Sequence, residues 1–347
     1  MTALGQLVAT TGLAQAECGF ARIRLSPGET ESLRGSSAAL VRENSALDSP
    51  EFLAEAREIW EYLPVRLRQG VRRFRREPGE TGTLLIEGVP IQEPLPPTPR
   101  TPDAVQRVAA SASASLALIA LGLGEPIAFA PEKSGALVQD VVPVARLAGS
   151  QSNAGSVELK FHTENAFHPH RPDYVMLLCL RSDRDASAAL RVASVRQALP
   201  LLAPADREAL TRPWFVTEPP PSFGGVRTGT EPSPVLTGAP EDPDIRLDFH
   251  ATRPLGARAE AALSRLAAAL DEVCLDLRLR PGQLAVLDNR IAVHGRSGFR
   301  PGYDGGDRWL HRMFVHADLR RSRQDRPGDG HVLADRADRP ASDPRHP

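Results

Sequence analysis

The chain has 347 residues, 41% of them hydrophobic, and its 42 basic and 43 acidic side chains leave a formal net charge of -1. That is enough apolar material for a substantial core, and so even a charge balance offers no field to draw a nucleic acid or other polyanion onto the protein. Cys18, Cys179 and Cys274 are scattered and form no Cys-x-x-Cys pair, which argues against a disulfide framework or a thiolate zinc site and fits a reducing, cytoplasmic setting.

Met1-Thr2-Ala3-Leu4-Gly5-Gln6-Leu7 lacks the basic start and sustained apolar stretch of a signal peptide. Ser49-Pro50-Glu51 opens a helical stretch in which Phe52, Ile59, Leu63, Leu67, Val71 and Phe74 recur at helical intervals, interrupted at Pro64. Residues 83–86 read as a strand and 104–121 as a helix, with the proline-rich turn 94–99 between them. The longest apolar run, near 115–121, is well short of the roughly 18 residues that suggest a membrane span.

Further along, 174–180 is a continuous apolar run suited to a buried strand, and 200–210 reads as a short helical connection. Residues 219–238 are too rich in proline and glycine for regular structure, and the insertion near 217–245 is long enough to form a lid or binding loop. Leu263, Leu266, Leu270 and Val273 mark one face of a helix over 257–275, ended before Pro281-Gly282, and 283–287 form the strand that delivers His294. From Arg320 the chain is charged, proline-bearing and poor in apolar residues, so 321–347 is expected to be a disordered tail behind a single elaborated domain over 1–320. Periodicity alone supports a mixed α/β assignment.

The chemistry concentrates in two places. In His162-Thr163-Glu164 an extended backbone turns the first and third side chains to one face and Thr163 to the other. His294, in Asp288-Asn289-Arg290-Ile291-Ala292-Val293-His294, adds a second imidazole from a distant segment. Two histidines and one carboxylate on one face of a metal suit a non-haem Fe(II) oxygenase and leave roughly three of six coordination positions free for substrates and O2. Arg308 and Arg312 have the even spacing that puts two guanidiniums on one strand face, and a buried guanidinium binds a carboxylate bidentately.

Phe161-His162-Thr163-Glu164-Asn165-Ala166-Phe167-His168-Pro169, the run from Pro172 to Arg181, and the segment from Leu287 through Arg312 together resemble the clavaminate synthase-like Fe(II)/2-oxoglutarate oxygenases. Within that family the likeness is to hydroxylases of free arginine, asparagine and related amino acids, and it covers roughly residues 80 to 320. The resemblance implies a double-stranded β-helix (jelly-roll) core with flanking helices, a mainly β or α+β fold. It implies Fe(II) held by His162, Glu164 and His294, 2-oxoglutarate held through its far carboxylate by Arg308, and the substrate's α-carboxylate held by Arg312. Gln139 matches a position near the substrate amine, with a plain polar strand residue as the alternative. Where the family has a threonine near the co-substrate, this chain reads Ser187 to Ser194, and Ser194 either substitutes or only satisfies backbone.

The implied reaction is hydroxylation of a free amino acid with O2 as oxidant, and Glu164 favours hydroxylation because related halogenases lack that carboxylate. Asp248 and His250 occupy the region that reads the side chain; an acidic residue there favours arginine or another basic amino acid hydroxylated at C3, with asparagine, lysine and citrulline left open. Two other classes also stay open: a zinc protein using His168 and His170 with His162, and a binding protein that performs no chemistry.

Overall fold

A computed structural model describes residues 14–15, 19–223 and 231–334. Its core is two sheets packed face to face, with helices against both outer surfaces. The larger sheet runs in the order Ala14–Gln15, Ala21–Arg24, Thr83–Glu87, Gln283–Asp288, Tyr174–Arg181, Trp309–His316, Glu125–Phe129, Val332–Leu333. Val138–Val141 also pairs with Trp309–His316, and Val105–Gln106 pairs with Val138–Val141. The smaller sheet has the order Leu275–Leu277, Leu190–Ser194, Ala292–Arg296, Leu159–His162.

Strand alternation decides which side chains fill which layer. Val175, Leu177 and Cys179, with Leu85, Ala285, Leu287, Leu310 and Phe314, meet Leu190, Val192 and Ala292 of the smaller sheet in one buried cluster. The intervening Met176, Leu178 and Leu180, with Leu84, Ile86, Leu284, Val286, Met313 and Val315, face the N-terminal helices instead. On the far side, Ala193 and Val293 of the smaller sheet pack against Leu263, Leu266 and Leu270 of the helix Ala257–Glu272. Burial of each large apolar side chain contributes roughly 1.5–3 kcal/mol, so the sandwich has a large reserve with which to hold polar groups inside it.

The helical stretch after Ser49 forms as two helices, Pro50–Trp60 and Val65–Arg76, separated at Pro64. A further helix, Pro27–Glu43, had a signal in Ser26 and Glu29 that periodicity did not pick out: the Ser26 hydroxyl accepts from the Glu29 N–H at 3.3 Å and the Glu29 carboxylate accepts from the Ser26 N–H at 2.8 Å.

Several expectations are corrected. The helix expected over 104–121 starts only at Ser111, in Ser111–Ala120, because Val105–Gln106 is drawn into the sheet. Part of the segment expected to be irregular makes a hairpin, Leu236–Ala239 with Asp242–Ile245, in which Gly238, at a positive φ of 88°, pairs with Pro243 just before the turn; residues 224–230 of the expected lid lie outside the described residues. The strand Gln283–Asp288 does not itself deliver His294, which stands on the next strand, in the other sheet. Nor is 321–334 disordered. Arg320–Asp325 is a 3-10 turn, Val332–Leu333 adds a parallel strand to Glu125–Phe129, and the charges that made the segment look solvated are used internally. Arg321 pairs with Asp173 at 2.8 Å, His170 with Asp325 at 2.8 Å, and Arg326 donates to the Leu319 carbonyl at 2.9 Å. The expected tail beyond 334 lies outside the described residues, as does Cys18. Among the described residues no helix is long and apolar enough to cross a membrane.

Candidate metal centre

His162 closes the strand Leu159–His162 and lies directly opposite His294 in the antiparallel pairing with Ala292–Arg296. The two rings are 4.4 Å apart between centroids. Glu164 follows just beyond the strand end, and its Oε2 is 3.5 Å from His294 Nε2. The candidate ligand atoms of all three side chains lie within 4.8 Å of one another, and this is the one such group of histidine, cysteine or acidic residues among the described residues.

The backbone is held so that these side chains converge. Thr163 points away, exchanging hydrogen bonds with Leu247: its N–H donates to the Leu247 carbonyl at 2.8 Å and its hydroxyl accepts from the Leu247 N–H at 3.2 Å. Asn289, fully buried, clamps the Glu164 turn: its Oδ1 accepts from the Glu164 N–H at 2.7 Å, and its Nδ2 donates to the carbonyls of Glu164 at 3.2 Å and Pro172 at 2.9 Å. Asn165 then takes a positive φ of 51°, which asparagine tolerates better than most side chains, and reverses the chain away from the site.

Electrostatics prepare the three groups for a cation. Burial, with His162 alongside, pushes the His294 imidazole down to about 4, so it is neutral near pH 7 with lone pairs available. Burial alone would raise the Glu164 carboxyl, but the Arg312 guanidinium and the two imidazoles outweigh it and hold it well below the usual carboxylate range. His162 Nδ1 lies 3.0 Å from the Lys160 carbonyl, an arrangement that puts its proton there and leaves Nε2 to ligate. His294 Nδ1 is buried with no hydrogen-bond partner. The neutral His294 imidazole, the His162 ring with Nε2 turned to the same point and the ionised Glu164 carboxylate fit a divalent metal with oxygen and nitrogen preference.

Both arginines are inside. Arg312, 2% exposed, donates from Nη1 to Glu164 Oε1 at 2.8 Å and from Nε to Gln139 Oε1 at 3.2 Å, and its Nη2 pairs with Glu132. Glu132 also accepts from Asn165 Nδ2 at 3.1 Å. It is a residue the motifs did not reveal, because it stands outside both sequence blocks and is brought in only by the fold. Burial raises its carboxyl, Glu164 adds to that, and Arg312 opposes it. Arg308 is 7% exposed, and burial lowers its guanidinium below its ordinary value; no ion pair compensates it among the described residues, although Asp183 and Cys179 bear on it electrostatically.

The remaining candidates separate. Asp248 forms a backbone bridge pair with His162, placing it beside the candidate metal ligands, while one of its oxygens accepts from the N–H groups of His250 at 2.7 Å and Ala251 at 3.3 Å. His250 itself is exposed. Ser194, fully buried, caps the helix Val195–Ala198 by accepting from the Arg196 N–H at 3.2 Å. His168 and His170 take no part in a metal cluster; His168 packs edge-on against Phe129 at 4.9 Å and His170 pairs with Asp325.

Residues 80–314 match the model of the family described as taurine catabolism dioxygenase TauD, TfdA family. The chain is 52% identical over 287 residues, 82% of its length and 86% of the relative's, to an L-asparagine oxygenase of Streptomyces coelicolor. Among solved structures it is similar to asparagine oxygenase in complex with Fe(II), (2S,3S)-3-hydroxyasparagine and succinate, with a TM-score of 0.88 at 48% identity, covering 90% of this chain and 99% of that one. It is also similar to the non-haem iron oxygenase OrfP in complex with Fe, succinate and (3S)-hydroxy-L-Arg, with a TM-score of 0.82 at 28% identity over 90% of this chain and 99% of that one. The chain belongs to the TauD/TfdA family, in its clavaminate synthase-like branch. It is an Fe(II)/2-oxoglutarate-dependent dioxygenase.

Proposed function

We propose that this enzyme hydroxylates a free L-amino acid at C3, with His162, Glu164 and His294 as the iron ligands and asparagine as the substrate. The observation that carries the amino-acid reading is the contact between Arg312 and Glu132, a cation and an anion side by side next to the metal ligands. That pair is the charge complement of an amino acid's α-carboxylate and α-ammonium. A substrate carboxylate takes the Arg312 fork in exchange for its contact with half-buried Glu132, with Gln139 beside it, and the ammonium then pairs with Glu132.

His162, Glu164 and His294 would hold Fe(II), which with 2-oxoglutarate and O2 would supply oxidative decarboxylation to succinate and CO2 and delivery of one oxygen atom into a C–H bond. The protein's own part is positioning and shielding. Arg308 binds the far carboxylate of 2-oxoglutarate, and the triad leaves adjoining positions open. Arg312 and Glu132 fix the amino acid by its backbone groups, so that C3, the first side-chain carbon, is presented to the metal.

Asp248 supports asparagine over arginine. A guanidinium is read best by both oxygens of a carboxylate, whereas one Asp248 oxygen already serves its own turn and the other suffices for an amide N–H. Arginine is the second reading, favoured by the acidic residue beside the metal and by the likeness to OrfP. The two face-to-face sheets support a double-stranded β-helix core, and the scattered cysteines a cytoplasmic setting.

The test is a panel of free L-amino acids with Fe(II), 2-oxoglutarate and O2, read by mass spectrometry. Asparagine is expected to gain one oxygen, with succinate formed in equal amount. A gain on arginine alone moves the assignment to the second reading, and no gain on any free amino acid ends it.

A further inference from the structure

On the strand Ala292–Arg296, alternation puts Ala292, His294 and Arg296 on the face turned toward the larger sheet, with Val293 on the other. Arg296 is therefore the next inward side chain after a metal ligand, and it is 4% exposed. Its Nη2 is fixed by the Val157 carbonyl at 2.8 Å, and its guanidinium lies over the Phe299 ring at 5.2 Å. Its Nε is buried with no hydrogen-bond partner. Arg296 pairs with Leu190 across the smaller sheet, and Trp309, next to Arg308, pairs with Arg181 in the larger one, so both arginines stand at the end of the sandwich where residues 182–189 connect the two sheets.

Among the described residues neither arginine makes an ion pair. Asp183, the acidic group that bears on Arg308, is already turned to the Ser187 N–H at 2.8 Å, the Ser187 hydroxyl at 2.9 Å and the Ala188 N–H at 3.2 Å. Two buried cations with an unused N–H are costly unless an anion joins them. The hydroxyl at the threonine-like position offers no help, since Ser194 is committed to its helix cap.

We propose that Arg296 is a second anion-binding residue of the co-substrate pocket, sharing with Arg308 the far carboxylate of 2-oxoglutarate. This rests on the assignment of Arg308 above and deepens it: the pocket selects a dicarboxylate over a 2-oxo acid with an uncharged end, and the Phe299 ring and the Val157 carbonyl hold the Arg296 fork in place before the ligand arrives.

The experiment is anaerobic calorimetry of the full chain loaded with Mn(II), titrated with 2-oxoglutarate and with 2-oxovalerate, which lacks the far carboxylate. Arg296→Gln is expected to weaken 2-oxoglutarate by about 10- to 100-fold, the range for a lost hydrogen bond to a charged group, while Mn(II) and 2-oxovalerate bind as in the native chain. Native affinity for 2-oxoglutarate in that variant overturns the proposal, and so does an equal loss for both 2-oxo acids, which is the mark of a packing role. Arg308→Gln is measured in parallel: if it also leaves 2-oxoglutarate unchanged, the Arg308 assignment fails as well, whereas a loss there with none in Arg296→Gln defeats this inference alone. If Arg296→Gln binds no Mn(II), Arg296→Lys, which keeps the charge and loses the fork, decides: a several-fold loss specific to 2-oxoglutarate supports the proposal and native affinity overturns it.

Discussion

His294 and His162 face each other across adjacent antiparallel strands, with ring centroids 4.4 Å apart. Register alone therefore brings together two ligands far apart in the chain, and a one-residue slip would turn one imidazole out of the site. Asn289 and Arg312 hold Glu164 beside that pair.

Asn289 is the clearest such support. Replacing it with alanine removes three buried hydrogen bonds around the Glu164 turn. Asn289→Ala is expected to destabilise the chain by about 3 kcal/mol and to weaken metal binding roughly 10- to 100-fold, as for other residues that orient ligands. Thermal unfolding and a metal titration check the two effects separately.

Stability should fall on mild acidification. Burial, the first cause in each case, lowers His294, His311 and His316 from 6.5 to about 4. Between those values the unfolded chain takes up protons that the folded chain refuses, so these residues' contribution is whole above about pH 6.5 and is lost progressively as pH drops toward 4. The loss is on the order of 1 kcal/mol per pH unit for each residue. Denaturant unfolding of the metal-free chain at pH 7 and pH 5 measures it; equal stabilities would show that these imidazoles are not buried neutral.

Arg308→Lys exchanges a rigid fork for a point charge. The KM for 2-oxoglutarate should rise about 10- to 100-fold, with iron affinity nearly native. Unchanged 2-oxoglutarate dependence would remove Arg308 from the co-substrate site.

Glu132→Gln keeps size and removes the charge facing the substrate ammonium. The KM for the amino acid is expected to rise at least about tenfold, the scale of a lost charge-assisted hydrogen bond, while the KM for 2-oxoglutarate holds. Parallel increases in both would instead indicate disturbance of Arg312 and, through it, of Glu164.

The grouping of His162, Glu164 and His294 and the inward placement of Arg308 and Arg312 were legible from two short blocks by the rule that alternate residues on extended backbone share a face, although Glu164 lies just past the strand that ends at His162 and Arg308 just before the one that starts at Trp309. Glu132 and Arg296 were not, since nothing local marks them and their meaning comes from which charges the sandwich sets beside them. The segment 320–334 misled for a related reason. Its composition is that of a solvated tail, and only partners far away in sequence, such as Asp173 for Arg321, turn those charges into internal contacts. The helix Pro27–Glu43 was marked locally, by the reciprocal capping of Ser26 and Glu29, a signal weaker to the eye than hydrophobic periodicity.

The most direct measurement is the visible charge-transfer absorbance that arises when 2-oxoglutarate is added anaerobically to the chain loaded with one equivalent of Fe(II). The native protein should develop the band, and His294→Ala should bind neither the metal nor the co-substrate in that form. A band of native intensity in His294→Ala would show that the iron sits elsewhere.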